Sequence, residues 1–374
     1  MASLNNSNVI NPERLKRLLA KMIDIYSPSG KEEEILEYLY DYLKRNGLPV
    51  SKQPVDDSRY NLVVGSEENT LLSFVGHLDT VIAHDLDNCG FKEEGDLVTG
   101  LGSADMKGGC AAMIEAFVCL WNRKGPPPPV ALALVVGEEE EGDGANVLAQ
   151  SDLRFSWALI GEPTDLKPCL SNYGYVEIQI AIKGKRIHAS LAHQGQNPIE
   201  AMLRLIMRVA RYIESKQPRL VYNIRDMYTS QAGFFVPDLC EAWVDMHMPP
   251  ESPMGEIVME IEEIVESEQK ENSRLDFMVR FNTIDAGYEL PEKGPIFECL
   301  KDIYLKRSLN WKPEPFVSHS DANRLWASGV RPILLGPGEL EKAHASDESI
   351  LFSKVVEAAE IYFEIANSIG EYLW

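Results

Sequence analysis

Two kinds of apolar pattern alternate along this chain of 374 residues. NPERLKRLLAKMIDIYS, from Asn11 to Ser27, repeats its apolar positions at helical spacing. Pro12 suits the first turn, where the missing N–H removes no bond. GKEEEILEYLYDYLKRNG reads as a second helix closed by Gly47. Short, uninterrupted apolar runs then take over: LLSFVG, VALALVVG, FSWALIG and, much later, RPILLG. Between the first two lies GGCAAMIEAFVCLWNRKG, long enough for a helix. Apolar strands alternating with helices predict an α/β fold, with a mixed, mostly parallel sheet carrying helices on both faces. In such sheets ligands bind beyond the carboxyl ends of the strands.

The residues that follow each run share one chemistry. After LLSFVG come His77 and Asp79, and after VALALVVG come Glu138, Glu139, Glu140 and Glu141. FSWALIG is followed by Glu162, and the stretch after RPILLG leads to His344 and then ASDE. Asp105 sits in GLGSADMKGG, where glycines let the backbone turn tightly before a helix.

Imidazoles and carboxylates without a thiolate make a borderline-hard ligand set. So many converging acids must take up protons or cations. One metal leaves acids over, whereas two metals sharing one bridging carboxylate use them all. Such pairs sit about 3.5–4 Å apart and yield hydroxide at neutral pH. In this reading His77 binds metal, and Asp79 accepts the proton on its far nitrogen and so fixes its tautomer.

Length alone points to two domains. The net charge of -22 excludes nucleic acid and anionic membranes as partners, but not a small anionic substrate. Six scattered cysteines without a CxxC pair read as free thiols in a reducing cytoplasm. MASLNNSNVI lacks the pattern of a secretory leader. No stretch reaches the ~20 apolar residues of a membrane span. GPPPPV, at 125–130, reads as a stiff connector. A lone histidine is ordinarily structural, and His84, His193 and His247 are read so.

GHLDTV, GLGSADMKGG, GEEEEGDGA, IGEPTDL and AHASDE occur in one order over nearly the whole chain. In that order and spacing the chain resembles the co-catalytic zinc peptidase and deacylase family. That family includes acetylornithine deacetylase, succinyl-diaminopimelate desuccinylase, aminoacylases and glutamate carboxypeptidase. The resemblance implies two Zn2+ per chain, for which Co2+ or Mn2+ can substitute. His77, Asp105 and Glu162 would bind one ion, and Asp105, Glu139 and His344 the other, with Asp105 as the bridge. Glu138 would be the general base. The family has Asp-Glu-Glu where this chain has Gly-Glu-Glu-Glu-Glu. Counting back from Gly144 selects Glu138 and Glu139, and a slip to Glu140 and Glu141 is the alternative.

The resemblance also implies a discontinuous catalytic domain, 1–172 with 285–374, and an inserted α+β lid at 173–284 through which two chains form a homodimer. VEIQIAIKG alternates as a half-buried strand should, and NPIEAMLRLIMRVARYI reads as a helix. His188 would reach the neighbouring subunit's active site and polarise the scissile carbonyl. The expected substrate is a small N-acyl amino acid or a short peptide, with acetylornithine deacetylase-like activity leading and a dipeptidase or carboxypeptidase as the alternative. A binding protein on an inactive scaffold is the third reading. Arg186, Arg225, Arg280 and Arg324 are candidates to grip a substrate carboxylate. Three departures from the family pattern bear on substrate: Leu101 ahead of the bridging aspartate, Tyr173-Gly174 at the lid entry, and His319.

Overall fold

A computed structural model of the chain describes residues 9–65, 70–87, 89–123, 128–151, 153–230 and 233–372. Most of MASLNNSNVI, and residues 125–127 of the proline-rich connector, lie outside the described residues. The chain divides into two compact units.

The first unit takes in the chain as far as Ser171, Leu290–Phe316, and Ser320 onward. Its sheet has a parallel centre. Leu72–His77 lies between Val130–Val135 and Trp157–Ile160, and Arg331–Leu334 continues on the far side of Trp157–Ile160. Every residue of Leu72–His77, Val130–Val135 and Trp157–Ile160 is buried, which is why their sequences do not alternate. Antiparallel strands flank this centre: Tyr60–Val64 pairs with Val130–Val135, and Val50–Pro54 pairs with Tyr60–Val64.

Helices Gly108–Trp121 and Phe352–Ser368 pack together on the sheet. Phe74 meets Phe117 of one at 5.4 Å and Tyr362 of the other at 5.8 Å, both edge to face. Such pairs add about 0.5–1.5 kcal/mol beyond their buried area. The Pro12–Asp24 helix starts as its sequence predicts, with the Asn11 side chain accepting from Arg14 N–H at 3.0 Å. Arg14 then grips the buried Glu115 carboxylate through two bonds of 2.7 Å, tying this helix to Gly108–Trp121. Removing one partner of a buried pair costs about 3–5 kcal/mol.

The second unit takes in Asn172–Glu289 and Val317–His319. Its antiparallel sheet runs in the order Val221–Thr229, Leu239–Met248, Gly174–Lys183, Asp276–Asp285. Val176, Ile178, Ile180 and Ile182 form one core with Leu205 and Val209 of helix Pro198–Lys216 and Ile261 of helix Met254–Glu271. Glu268 joins the two helices, accepting from Arg204 and Arg208 at 3.0 Å each. The Tyr175 and His319 rings stack at 4.0 Å, which holds the short Val317–His319 segment in this unit. The Val221–Thr229 strand is mostly exposed at the sheet edge and has no alternating signature.

Among the described residues the cysteines are free thiols, and Cys110, Cys119, Cys169, Cys240 and Cys299 are buried. No helix of the described residues is long and apolar enough to cross a membrane.

Candidate metal centre

Strand ends deliver the cluster. Leu72–His77 finishes on His77, whose side chain is almost fully enclosed. Glu138 and Glu139 follow Val130–Val135 by way of Gly137, whose φ of 74° only glycine adopts without strain. Glu162 stands two residues past Trp157–Ile160. Asp105 lies in an irregular turn between Gly102, at φ 77°, and the helix that opens at Gly108. His344 follows the Arg331–Leu334 strand and a short 3-10 turn, with φ 58°.

Five of these side chains converge in two overlapping sets. His77, Asp105 and Glu162 form one, and Asp105, Glu139 and His344 the other; within each, one potential ligand atom per residue lies within 4.8 Å of the rest. Asp105 belongs to both. Its Oδ1 is 3.2 Å from His77 Nε2, and its Oδ2 is 3.4 Å from His344 Nε2. His344 Nε2 also lies 3.0 Å from Glu139 Oε2. Glu138 Oε2 approaches His77 Nε2 at 3.9 Å. Glu140 and Glu141 are exposed.

The electrostatics fit a cation. Burial pushes the Glu138 and Glu162 carboxyls well above the usual carboxylate range, and Glu139 is also raised by burial. Burial also acts upward on Asp105, but bonds to His344 and His77 outweigh it and hold that carboxyl low. Burial acts downward on His344, yet Asp105 and Glu139 carry it up to about 11. The His77 imidazole is likewise raised, burial being outweighed chiefly by Asp105. Glu162 Oε1 is buried without a hydrogen-bond partner. An orphaned carboxylate oxygen in a cluster of two imidazoles, one shared aspartate and one further glutamate is the donor set of a carboxylate-rich metal site.

Asp79 departs from the sequence expectation. His77 Nδ1 donates to the Asp79 main-chain carbonyl at 3.0 Å, while the Asp79 carboxylate stands 3.7 Å from that nitrogen. The tautomer is therefore fixed by backbone. The carboxylate accepts instead from Glu138 N at 3.1 Å, Glu139 N at 3.0 Å and Ser29 Oγ at 2.6 Å. A carboxylate between two main-chain donors and a hydroxyl gains more from them than from a fourth, longer contact.

Sequence reasoning missed Ser29 and the role of Glu348, because neither stands at the end of an apolar run. Glu348 is buried and accepts from three main-chain N–H groups of the turn that carries Asp105. Burial pushes its carboxyl up to about 7 against the pull of those bonds. His188 belongs to the second unit, exposed, with Nδ1 2.8 Å from Ser190 Oγ. Of the candidate arginines, Arg186 pairs with Asp238 at 3.0 Å, and Arg225 with Glu177 at 2.7 Å. Arg280 lines a recess in the second unit with Gln179 and Glu241, and Arg324 lies against Gly142 in the first.

Paired imidazoles and carboxylates at the ends of parallel strands define a class, the metal-dependent hydrolases. Residues 73–368 match the model of peptidase family M20/M25/M40, and the chain belongs to that family. It is a hydrolase acting on amide bonds. An acetylornithine deacetylase of Edwardsiella ictaluri is 28% identical over 90% of this chain and 90% of its own. A probable carboxypeptidase of Aspergillus flavus is 26% identical over 96% of this chain and 88% of its own. The fold is similar to that of a tripeptidase from Staphylococcus aureus, with a TM-score of 0.81 at 20% identity, covering 97% of this chain and all of that one.

Proposed function

We propose that this protein removes the acyl group from an N-acyl amino acid, in the manner of acetylornithine deacetylase, at a dinuclear zinc centre. His77, Asp105 and Glu162 hold one ion, and Asp105, Glu139 and His344 hold the other. The observation that carries this reading is Asp105, which offers one oxygen to each imidazole. When bound, the ions polarise the scissile carbonyl and acidify a water.

The chain's own residues do the rest. Glu138 Oε2 takes the proton of the attacking water and passes it to the departing amine nitrogen. Asp79 keeps the main chain of Glu138 in place. His77 offers Nε2 as a ligand because its Nδ1–H is committed to a carbonyl. His188 of a second copy donates to the oxygen on which charge develops. A homodimer through the second unit is supported by the edge strand Val221–Thr229, where Val221, Ile224, Met227 and Tyr228 are exposed.

A carboxypeptidase reading of the same centre is favoured by the Aspergillus flavus relative. An inactive binding scaffold is disfavoured because Glu138 and both ligand sets are present. The test is hydrolysis of two panels, N-acetyl amino acids and dipeptides, by the metal-replete protein. Turnover of N-acetylornithine and its neighbours above the dipeptides supports the deacylase. Turnover of dipeptides alone moves the protein to the second reading, and no turnover of either removes both.

A further inference from the structure

Glu348 is four residues beyond His344, and its carboxylate is spent entirely on another loop. Oε2 accepts from Gly102 N at 2.8 Å, and Oε1 accepts from Ala104 N at 2.9 Å and Asp105 N at 3.0 Å. Its main-chain carbonyl adds a fourth bond, from Gly100 N at 3.1 Å. The next residues, Ser349–Leu351, pair antiparallel with Leu97–Thr99. Glu348 and the strand that follows it therefore stitch the segment that carries His344 to the segment that carries Asp105, and Glu348 supplies side-chain bonds to the main chain of the turn at Asp105. These two ligands lie more than two hundred positions apart in the chain.

The turn at Asp105 is irregular, and its own main-chain bonds, Ser103 N to Gly100 O and Lys107 N to Gly102 O, leave the Asp105 N–H unused. Gly102 sits at φ 77°, and a Cβ there would meet the Thr80 side chain at 2.7 Å. Asp105 itself has extended dihedrals, φ −121° and ψ 99°, ahead of the helix that opens at Gly108. Its N–H therefore finds no partner in a helical ladder and is met by Glu348. Asp79 does the same for the loop that carries Glu138 and Glu139, so each of two buried carboxylates clamps the backbone of a ligand turn.

We infer that Glu348 is a positioning residue for the metal centre: a latch whose side chain sets the distance between Asp105 and His344. This rests on the dinuclear reading above. The latch touches neither substrate nor metal, so its effect appears as metal affinity before it appears as turnover. Outer partners of metal ligands typically change affinity by about 10–100-fold when removed.

Metal-free wild type, Glu348→Ala, Glu348→Gln and Glu115→Gln are titrated with Zn2+ against a chromophoric chelator. The Co2+-loaded forms are then compared by visible absorption. Glu115→Gln perturbs a buried carboxylate of the same unit that lies outside the cluster, and so controls for general destabilisation. Glu348→Ala is expected to weaken the second ion bound by about 10–100-fold and to alter the Co2+ spectrum. Glu348→Gln keeps one acceptor oxygen but turns an NH2 towards a main-chain N–H, so it falls between. It carries the test if the alanine variant does not fold. Wild-type affinity and an unchanged spectrum in Glu348→Gln would overturn the latch, as would an equal loss in Glu115→Gln. Failure of wild type to bind any divalent ion would overturn the dinuclear reading and the latch with it.

Discussion

The carboxylate of Asp79 accepts the main-chain N–H of Glu139 at 3.0 Å and leaves the imidazole beside it to a carbonyl. An aspartate two residues after a histidine thus serves a loop sixty positions away. Asp79→Asn separates the two roles. It preserves the His77 bond, which uses the main chain, but sets an NH2 or a weaker acceptor against Glu138 N and Glu139 N. Affinity for the ion held by Glu139 should fall by about 10–100-fold, read by chelator competition, while imidazole NMR of His77 keeps its tautomer. A changed His77 tautomer with unchanged metal affinity would return Asp79 to the orienting role.

Glu138 and Glu140 differ by two positions and by burial. Glu138→Ala should retain metal and lose about 10²–10⁴ in kcat, the range for a lost general base. Glu140→Ala should stay within about twofold, as exposed substitutions usually do. Mixing Glu138→Ala with His188→Ala chains under full subunit exchange should restore roughly a quarter of wild-type activity, because half the dimers are hybrids with one intact site. Steady-state kinetics with mass-labelled exchange reads both. No recovery after confirmed exchange would confine His188 to its own chain.

The contrast between the two acids shows what the sequence can carry. Strand-end residues were legible, because a continuous apolar run fixes where a buried strand stops and which residue meets the crevice. His77, Glu162 and the Glu138–Glu141 run follow from that rule, and the family resemblance singles out Glu138 and Glu139 within the run. The alternating GYVEIQIAIK strand and the Asn-Pro openings of two helices were legible for the same local reason. Bonds between distant loops were not legible. Nothing in SPSG or ASDE marks Ser29 as a donor to Asp79, or Glu348 as an acceptor for a turn some 245 positions earlier in the chain. The exposed Val221–Thr229 strand also escaped, since an edge strand with little burial carries no periodic signal.

The second unit makes its own prediction in acid. Burial pushes the Glu268 carboxyl up, but bonds from Arg204, Arg208 and Asn272 outweigh it and hold the carboxyl below its usual range. A depressed folded-state value means the stabilisation is complete above the unfolded carboxyl's range, near ~4.3. It is lost as pH falls through the folded value. Glu268→Gln should therefore destabilise the protein at neutral pH by roughly 2 kcal/mol and flatten the acid limb of its stability curve. Urea unfolding between neutral and acid pH, followed by a probe in this unit, measures the difference. A mutant curve parallel to wild type at every pH would contradict it.

Metal content tests the central claim most directly. Protein reloaded with Zn2+ and freed of excess should contain about two ions per chain by elemental analysis, as a carboxylate-bridged pair requires. One ion per chain, or none, would contradict a centre in which Asp105 is shared.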